Sequence, residues 1–250
     1  GVGDTYRLDT SFAPQFSGAG WFVSTGSVAQ NGKYYVAGKF TSVNGVPRRN
    51  VARLNGDGSV DETFDSGDLL DSEVVALVEQ GDGKVLVASA KTNSGNLLRL
   101  NVDGSRDMSF SVGTGFATPP SKLTLLPDGR IAAGGDFMFF AGQACGRIVV
   151  LNRNGDREEF LGTGTGFNDG VLSIAAQADG CLLVGGRFTQ FNGKAACRIA
   201  RLNPDGSGLT YGENGGPNSD VTVIRVQPDD QVLLGGGFSQ FGGVGRDCRA

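Results

Sequence analysis

The chemistry open to this chain is set first by a residue type it lacks. Its 250 residues include no histidine, which removes His-based triads, His general bases and His metal sites together. Four cysteines, Cys145, Cys181, Cys197 and Cys248, make neither a CxxC pair nor a dense disulfide scaffold. They read as free or partly buried thiols, with one disulfide in an oxidising compartment as the alternative. Asn55–Asp61 and Asn101–Asp107 share the order Asn-x-Asp-Gly-Ser-x-Asp. It opens like an oxygen-ligand calcium loop but lacks the closing bidentate Glu in register, so hairpin turns are expected and no metal is assigned. Gly113–Phe116 and Gly164–Phe167 both read Gly-Thr-Gly-Phe. Without a Gly-Lys-Ser/Thr ending or a following helix, this is not a phosphate loop, and no cofactor is expected.

Carboxylates are the remaining catalytic candidates. Glu73 and Asp220 occupy one position relative to the next turn, and Asp169 lies one residue earlier. Glycoside hydrolysis would need two of them about 5–5.5 Å apart for retention or 6.5–9.5 Å for inversion. Acidic loop ends in water are the plainer reading.

The elements that position these residues are repeats. KYYVAGKF, RIAAGGDF, CLLVGGRF and QVLLGGGF begin at Lys33, Arg130, Cys181 and Gln231, with a weaker copy, KVLVASAK, at Lys84. Each follows a turn whose second residue falls at 32, 83, 129, 180 or 230, in steps of 46 to 51 residues. Within a unit, a short apolar strand, an Asp-Gly turn, the glycine-bearing strand, a loop, an alternating strand ending Arg-Leu-Asn and another Asp-Gly turn succeed one another. This is the order of an antiparallel propeller blade, and no helical period is present. The fold expected is all-β: a five-bladed β-propeller of four-stranded antiparallel blades, a single domain over 1–250. Its last unit stops inside the third strand, at Asp247–Ala250, while Arg7–Phe12 carries the missing end of the motif. Ring closure by the N- and C-terminal strands follows as an expectation.

Composition agrees with a compact repeat protein. There are 42 glycines, and 22 basic against 26 acidic side chains leave a net charge of −4. Such a chain is a poor polyanion binder, so nucleic acid is not an expected partner. No apolar run approaches the ~20 residues of a membrane span, and no signal peptide is expected within GVGDTYRLDTSF.

The segments Asn55–Phe64 (NGDGSVDETF) and Asn101–Phe110 (NVDGSRDMSF), with the DGK-type strands ending in GG-x-F, resemble the bacterial delta-60 β-propeller repeat. The resemblance covers nearly the whole chain. Unit two departs from it in losing the GG-x-F and Asn-Gly elements, carrying Ala88–Lys91 and a short loop near Thr92–Asn96, and unit three in reading Asn154-Gly155-Asp156. It implies a secreted or cell-surface bacterial location within a larger chain or assembly, and no activity.

Side-chain roles can be read from the register. A three-residue turn pairs Asn55 with Ser59, so Arg53 faces Asp61 and Arg99 faces Asp107, as cross-strand ion pairs. By the same count Arg201 faces Leu209 and Val150 faces Glu158. Val43, Phe140, Phe191 and Phe241 each lie three residues after a strand-end Phe and are expected to fold back and anchor their loops; the alternative is an exposed apolar ring. The Asp-Gly turns share one face, and the variable second loops and connections share the other, where binding normally resides. Trp21, Phe22, Arg48, Arg49, Phe139, Phe167, Asn168, Asp169 and Asp220 are the candidate binding residues there, with Trp21 either in that role or plugging the ring centre. The function expected is a non-enzymatic module recognising a protein or surface glycan, with a propeller glycosidase or a glycan-specific lectin as alternatives.

Overall fold

A computed structural model describes residues 12–89, 96–159, 164–209, 215–242 and 244–245. Among them there is no helix, and the chain builds antiparallel sheets of one kind in succession. The inner strands are Phe22–Val28, Val74–Glu79, Lys122–Leu125, Val171–Ala176 and Val221–Val226. Each pairs with a middle strand: Tyr34–Lys39, Val85–Ser89, Ile131–Gly134, Leu182–Gly186 or Val232–Gly236. In the first four sheets a third strand follows, at Val51–Leu54, Leu97–Leu100, Ile148–Leu151 and Ile199–Leu202. All five inner strands line one central cavity of about 250 Å³. Sheets arranged radially around such an axis make a β-propeller.

The fourth strand is shorter than the sequence implies. It is a single bridge in the first three sheets, Leu54 with Val60, Leu100 with Arg106 and Leu151 with Arg157. Only the fourth sheet has two residues, Gly208–Leu209. In the first two sheets the cause is the aspartate that follows. Asp61 Oδ1 accepts hydrogen bonds from the Thr63 amide at 3.1 Å and its hydroxyl at 2.7 Å, and Asp107 does the same with Ser109. The chain turns away, and Phe64 and Phe110 enter the apolar layer of the next sheet, beside Val85 and Ile131 respectively.

Two adjacent positions near the end of each middle strand set how closely elements approach. The first is Ala37, Ala88, Gly134, Gly185 or Gly235. A Cβ on Gly134 would lie 2.6 Å from Val171 and Ile174 of the next inner strand, and one on Gly185 would lie 2.6 Å from Val221. Gly235 is the exception, since a Cβ there would meet only Val223 of its own sheet. Correspondingly Val23 is 42% exposed, whereas its counterparts Val74, Val171 and Val221 are fully buried. At the second position, Gly38, Gly186 and Gly236 face a β-bulge in their own inner strand. A Cβ on Gly186 would sit 2.1 Å from the Gly170 carbonyl oxygen.

The second loop of a unit is a hairpin of its own rather than an open loop. Ser42–Val43 pairs with Val46–Pro47, Phe139–Phe140 with Gln143–Ala144, and Gln190–Phe191 with Lys194–Ala195. Their turns, Asn44-Gly45, Ala141-Gly142 and Asn192-Gly193, have positive φ at both residues, as tight hairpin turns require. Val43, Phe140 and Phe191 are buried, and each pairs with a connection residue: Phe16, Phe116 and Phe167. The anchoring role expected of them holds.

Replacing Gly186 by Ala sets a methyl group against backbone that no side-chain rotation can clear. The expected cost is about 2–3 kcal/mol, read as a lower urea midpoint at unchanged slope. A loss under about 0.5 kcal/mol would show that the bulge moves aside freely.

Candidate functional site

The turn face is rich in charge, and that charge is spent internally. Arg53 Nε lies 2.5 Å from Asp61 Oδ2, and Arg99 Nε lies 2.7 Å from Asp107 Oδ2, as the register predicts. Arg201 pairs in register with Leu209, and the Glu158 amide donates to the Val150 carbonyl. The ion pairs differ from ordinary cross-strand pairs in being buried, with the Arg53 and Asp61 side chains 5% and 4% exposed. A second cation joins each: Lys33 Nζ lies 2.7 Å from Asp61 and Lys84 Nζ 2.8 Å from Asp107. The Arg53 guanidinium also donates to the Val102 carbonyl, and that of Arg99 to the Arg153 carbonyl. Each arginine thus ties its own sheet to the turn of the next. Burial works against charge on Asp61, but hydrogen bonds from Lys33, Thr63 and Arg53 outweigh it and hold the carboxyl well below the usual carboxylate range. Asp107 is held down likewise, against burial, by Lys84, Ser109 and Arg99.

The calcium-like turns use their oxygens in the same way. Asp57 Oδ1 accepts from the Ser59 amide at 2.9 Å and its hydroxyl at 2.6 Å, and Asn55 donates to that hydroxyl at 2.9 Å. Cys145 and Cys181 are buried free thiols and Cys197 is a half-buried one. Cys248 lies outside the described residues.

The opposite face carries an open cleft of about 420 Å³ between the first and second sheets. Its walls come from the connection at Gly18–Ala19, the strand end at Lys39–Thr41, the loop end at Arg49–Asn50 and the next connection at Asp71–Glu73. Both signs of charge therefore face one groove, Lys39 and Arg49 against Asp71 and Glu73. Trp21, 51% exposed, is stacked on Phe16 at 5.9 Å between ring centres, and Phe16 packs in turn on the cleft residue Phe40 at 5.2 Å. Trp21 does not plug the centre, for it is not among the residues lining the central cavity. Phe22 is exposed and pairs in register with Lys39. Arg49 is exposed, 3.3 Å from Asp68. Phe139, with Met138, is exposed on the hairpin of the third unit.

Other candidates are structural. Phe167 is 1% exposed, packed on Phe188 and Phe191 at 4.2 and 4.7 Å, so no ligand reaches it. Its burial follows from the hairpin, whose Phe191 needs a partner from the connection. Arg48 is also buried. It donates to the Pro47 carbonyl at 2.7 Å and to Asp65 at 3.2 Å. Asn168 is exposed but acts as a cap, accepting from the amides of Thr189 and Gln190 at 2.9 Å each. Lys33, Lys39 and Lys84 escaped sequence reasoning. For Lys33 and Lys84 the signal was present, because each follows its turn directly and so starts a strand beside the Arg–Asp pair.

The three carboxylates do not converge on the channel. Asp169 lies 3.7 Å from Arg187, which holds Asp136 at 2.7 Å. Asp220 lies 3.7 Å from Arg198, and Glu73 belongs to the cleft. None of the three lines the central cavity.

The buried aspartates give a pH dependence of definite sign. Their folded-state pKa values lie below the unfolded value near ~4, so the stability they contribute is present above that pH and lost as pH falls below it. Melting temperature is expected to be level from about pH 5 to 7 and to drop through pH 4 and below. Asp61→Asn breaks a buried pair and is expected to cost about 3–5 kcal/mol at pH 7 while flattening the acid limb. Thermal melts of both proteins from pH 3 to 7 check this.

Known proteins place this geometry. No curated protein matches the sequence. Among solved structures, the extracellular domain of a protein assigned as the hybrid two component system BT3049 from B. thetaiotaomicron superposes with a TM-score of 0.54 at 13% identity, over 85% of this chain and 25% of that one. Sqt1 of Saccharomyces cerevisiae gives 0.55 at 14% identity, over 86% and 56%. YCF48 bound to D1 peptide gives 0.52 at 11%, over 82% and 57%. The chain thus spans a quarter to little more than half of these proteins, and at such identities the likeness is one of fold. A family model matches residues 29–64, 80–110, 126–158 and 177–208. These segments are more than half of the sequence, and each runs from the first turn of a unit through its second turn, so the chain belongs to the family described as a domain of unknown function, the DUF5122 beta-propeller.

Proposed function

We propose that this chain is a non-enzymatic binding module of an extracellular bacterial protein, with repeats of the delta-60 type, and that it grips a protein partner through its loop face. The observation that carries this reading is the cleft beside Trp21. It combines two cations and two carboxylates on a rigid scaffold, with the half-exposed Trp21 indole joined to its wall through Phe16 and Phe40, whereas the turn face commits its polar groups to itself. Exposed aromatics beside a polar cleft are what a partner's side chains anchor on. The fold-level likeness to an extracellular domain and to a peptide-bound protein favours the same reading. Among the described residues no helix is long and apolar enough to cross a membrane. The second hairpins differ from one unit to the next, which favours one protein partner over a lectin with a pocket in every blade.

The test pairs a glycan array with capture from bacterial surface fractions. The expected result is a protein partner retained by the wild-type chain and released by at least tenfold in the Trp21→Ala/Phe22→Ala variant. Glycan binding abolished by the same change would make the module a lectin. Turnover of an oligosaccharide lost on Glu73→Gln would make it a glycosidase.

The ring is proposed to be five-bladed and closed by residues near the N-terminus. Phe12 packs on Tyr34 at 5.0 Å, as Phe64 and Phe110 pack on the start of their next middle strands. A Cβ on Gly58 would meet Phe12 and Ala13 at 3.4 and 3.7 Å, as Gly104 meets Asp65 and Gly155 meets Ser111. Residues 12 and 13 therefore stand where the end of a preceding blade stands elsewhere. Apolar Leu233 and Val223 on the fifth sheet and Val23 on the first are exposed, on the faces that closure would cover. Deleting residues 1–12 is expected to lower the melting temperature by more than 10 °C or to cause aggregation. A shift of a few degrees would replace the closed ring by an open array.

A further inference from the structure

The central cavity has a chemistry of its own, separate from the loop-face cleft. Its polar lining consists of hydroxyls, among them Ser24, Thr25, Ser121 and Ser173, and two cations, Lys122 and Arg225; no acidic side chain lines it. Neither cation has a carboxylate partner among the described residues, and Arg225 has only the Ile224 carbonyl, at 3.3 Å. This contrasts with the buried arginines of the turn face, which are all answered by aspartate. In a chain of net charge −4, positive charge without local compensation inside a channel of low-dielectric walls focuses an attractive field for anions.

The placement follows from the repeat. Lys122 stands where the other inner strands carry Thr25, Ala76, Ser173 and Val223. Arg225 stands two residues further along, at the level of Ser27, Val78, Thr124 and Ala175. Two residues of strand are about 6.6 Å, so the two charges come from different sheets at adjacent levels of one channel. Ser173 adds a directed donor. It is 4% exposed, and its Oγ accepts the Ile224 amide at 2.9 Å, which leaves its own proton to give to the cavity. The hydroxyl of Thr25 makes no hydrogen bond among the described residues. The volume of about 250 Å³ equals the share of roughly eight liquid waters, room for a compact anion with part of its hydration.

We propose that the channel is a binding site for a compact oxyanion, a carboxylate, phosphate or sulfate group, held by Lys122 and Arg225 and oriented by Ser173 and Thr25. The cations supply charge from two levels, and the hydroxyls supply short donors that select oxygen over halide. The site uses no residue of the loop-face cleft, so it stands or falls apart from the function proposed above.

The experiment is a thermal-shift and calorimetric titration at constant ionic strength, with sodium sulfate, inorganic phosphate and citrate as probes and sodium chloride as the balance. Binding to the folded state raises the melting temperature in a saturable way. The wild-type chain is expected to saturate with at least one probe. Lys122→Met/Arg225→Met should weaken that binding at least tenfold, and Ser173→Ala several-fold. Arg49→Met, in the loop-face cleft, should leave it unchanged. Whichever of the inorganic anions and the carboxylate saturates at lower concentration identifies the group recognised. Both cations are exposed to the channel, so the double variant should melt no lower than wild type without ligand. Absence of saturable binding for all three probes, or equal binding by the double variant, would overturn the proposal.

Discussion

Each sheet of this molecule has an apolar face that it cannot bury alone, and everything else depends on how closely the next sheet approaches. That distance is set by one position of the middle strand. Where the residue is Ala37 or Ala88, a methyl group meets the next sheet, and where it is Gly134 or Gly185, Val171 with Ile174 and Val221 close to within the space of a missing methyl. The five large apolar layers all form between or along these approaching sheets. The inner strands are thereby brought around one axis, and the channel is what remains between them. The seam from Gly235 to Val23 lacks this contact, and it is there that apolar side chains stand exposed.

A polar joint reinforces the apolar one. Arg53 and Arg99 are each held by an aspartate of their own sheet and reach a carbonyl of the next turn. Desolvating an ion pair is costly unless its remaining donors are satisfied. Here a lysine, a threonine or serine hydroxyl and a backbone carbonyl complete the set. The joint therefore fixes the relative position of neighbouring sheets more than it adds raw stability. Its consequence for function is negative: the turn face has its charges committed. Unpaired chemistry is left to the loop face, where Trp21 and the Lys39–Glu73 cleft lie, and to the channel, where Lys122 and Arg225 have no counter-charge.

Residues in the left-handed region mark where the third strand begins, at Asn50, Asn96, Arg147 and Arg198. Outside glycine this conformation is uncommon and favours Asn. Asn50, Asn96 and Arg147 use it to aim a side chain at the connection to the next sheet, donating to the carbonyls of Leu70, Phe116 and Phe167. The turn that ends the loop is thus also the device that holds the following connection, and it explains why Phe167 is fixed inside rather than offered to a ligand.

Local pattern alone was enough for the repeat, its strands, the Asp-Gly turns and the facing of Arg53 with Asp61, because strand alternation and a fixed turn length determine register without distant contacts. The buried pairing of Val43, Phe140 and Phe191 was legible for the same reason, as one position repeated. The hairpins at Asn44-Gly45 and Asn192-Gly193 had a local signal too. What the sequence left open concerns side chains whose partners lie in another sheet. Arg187 reaches Asp136 across 51 residues, from the fourth sheet to the third, a separation at which no local rule states a contact. Trp21 lies outside the channel because Phe16, itself placed by Val43, offers its ring on the loop face. The channel's positive lining is the clearest case. Lys122 and Arg225 are ordinary cations of two strands about a hundred residues apart, and only the radial arrangement of the inner strands brings them to one cavity with no acid in its lining.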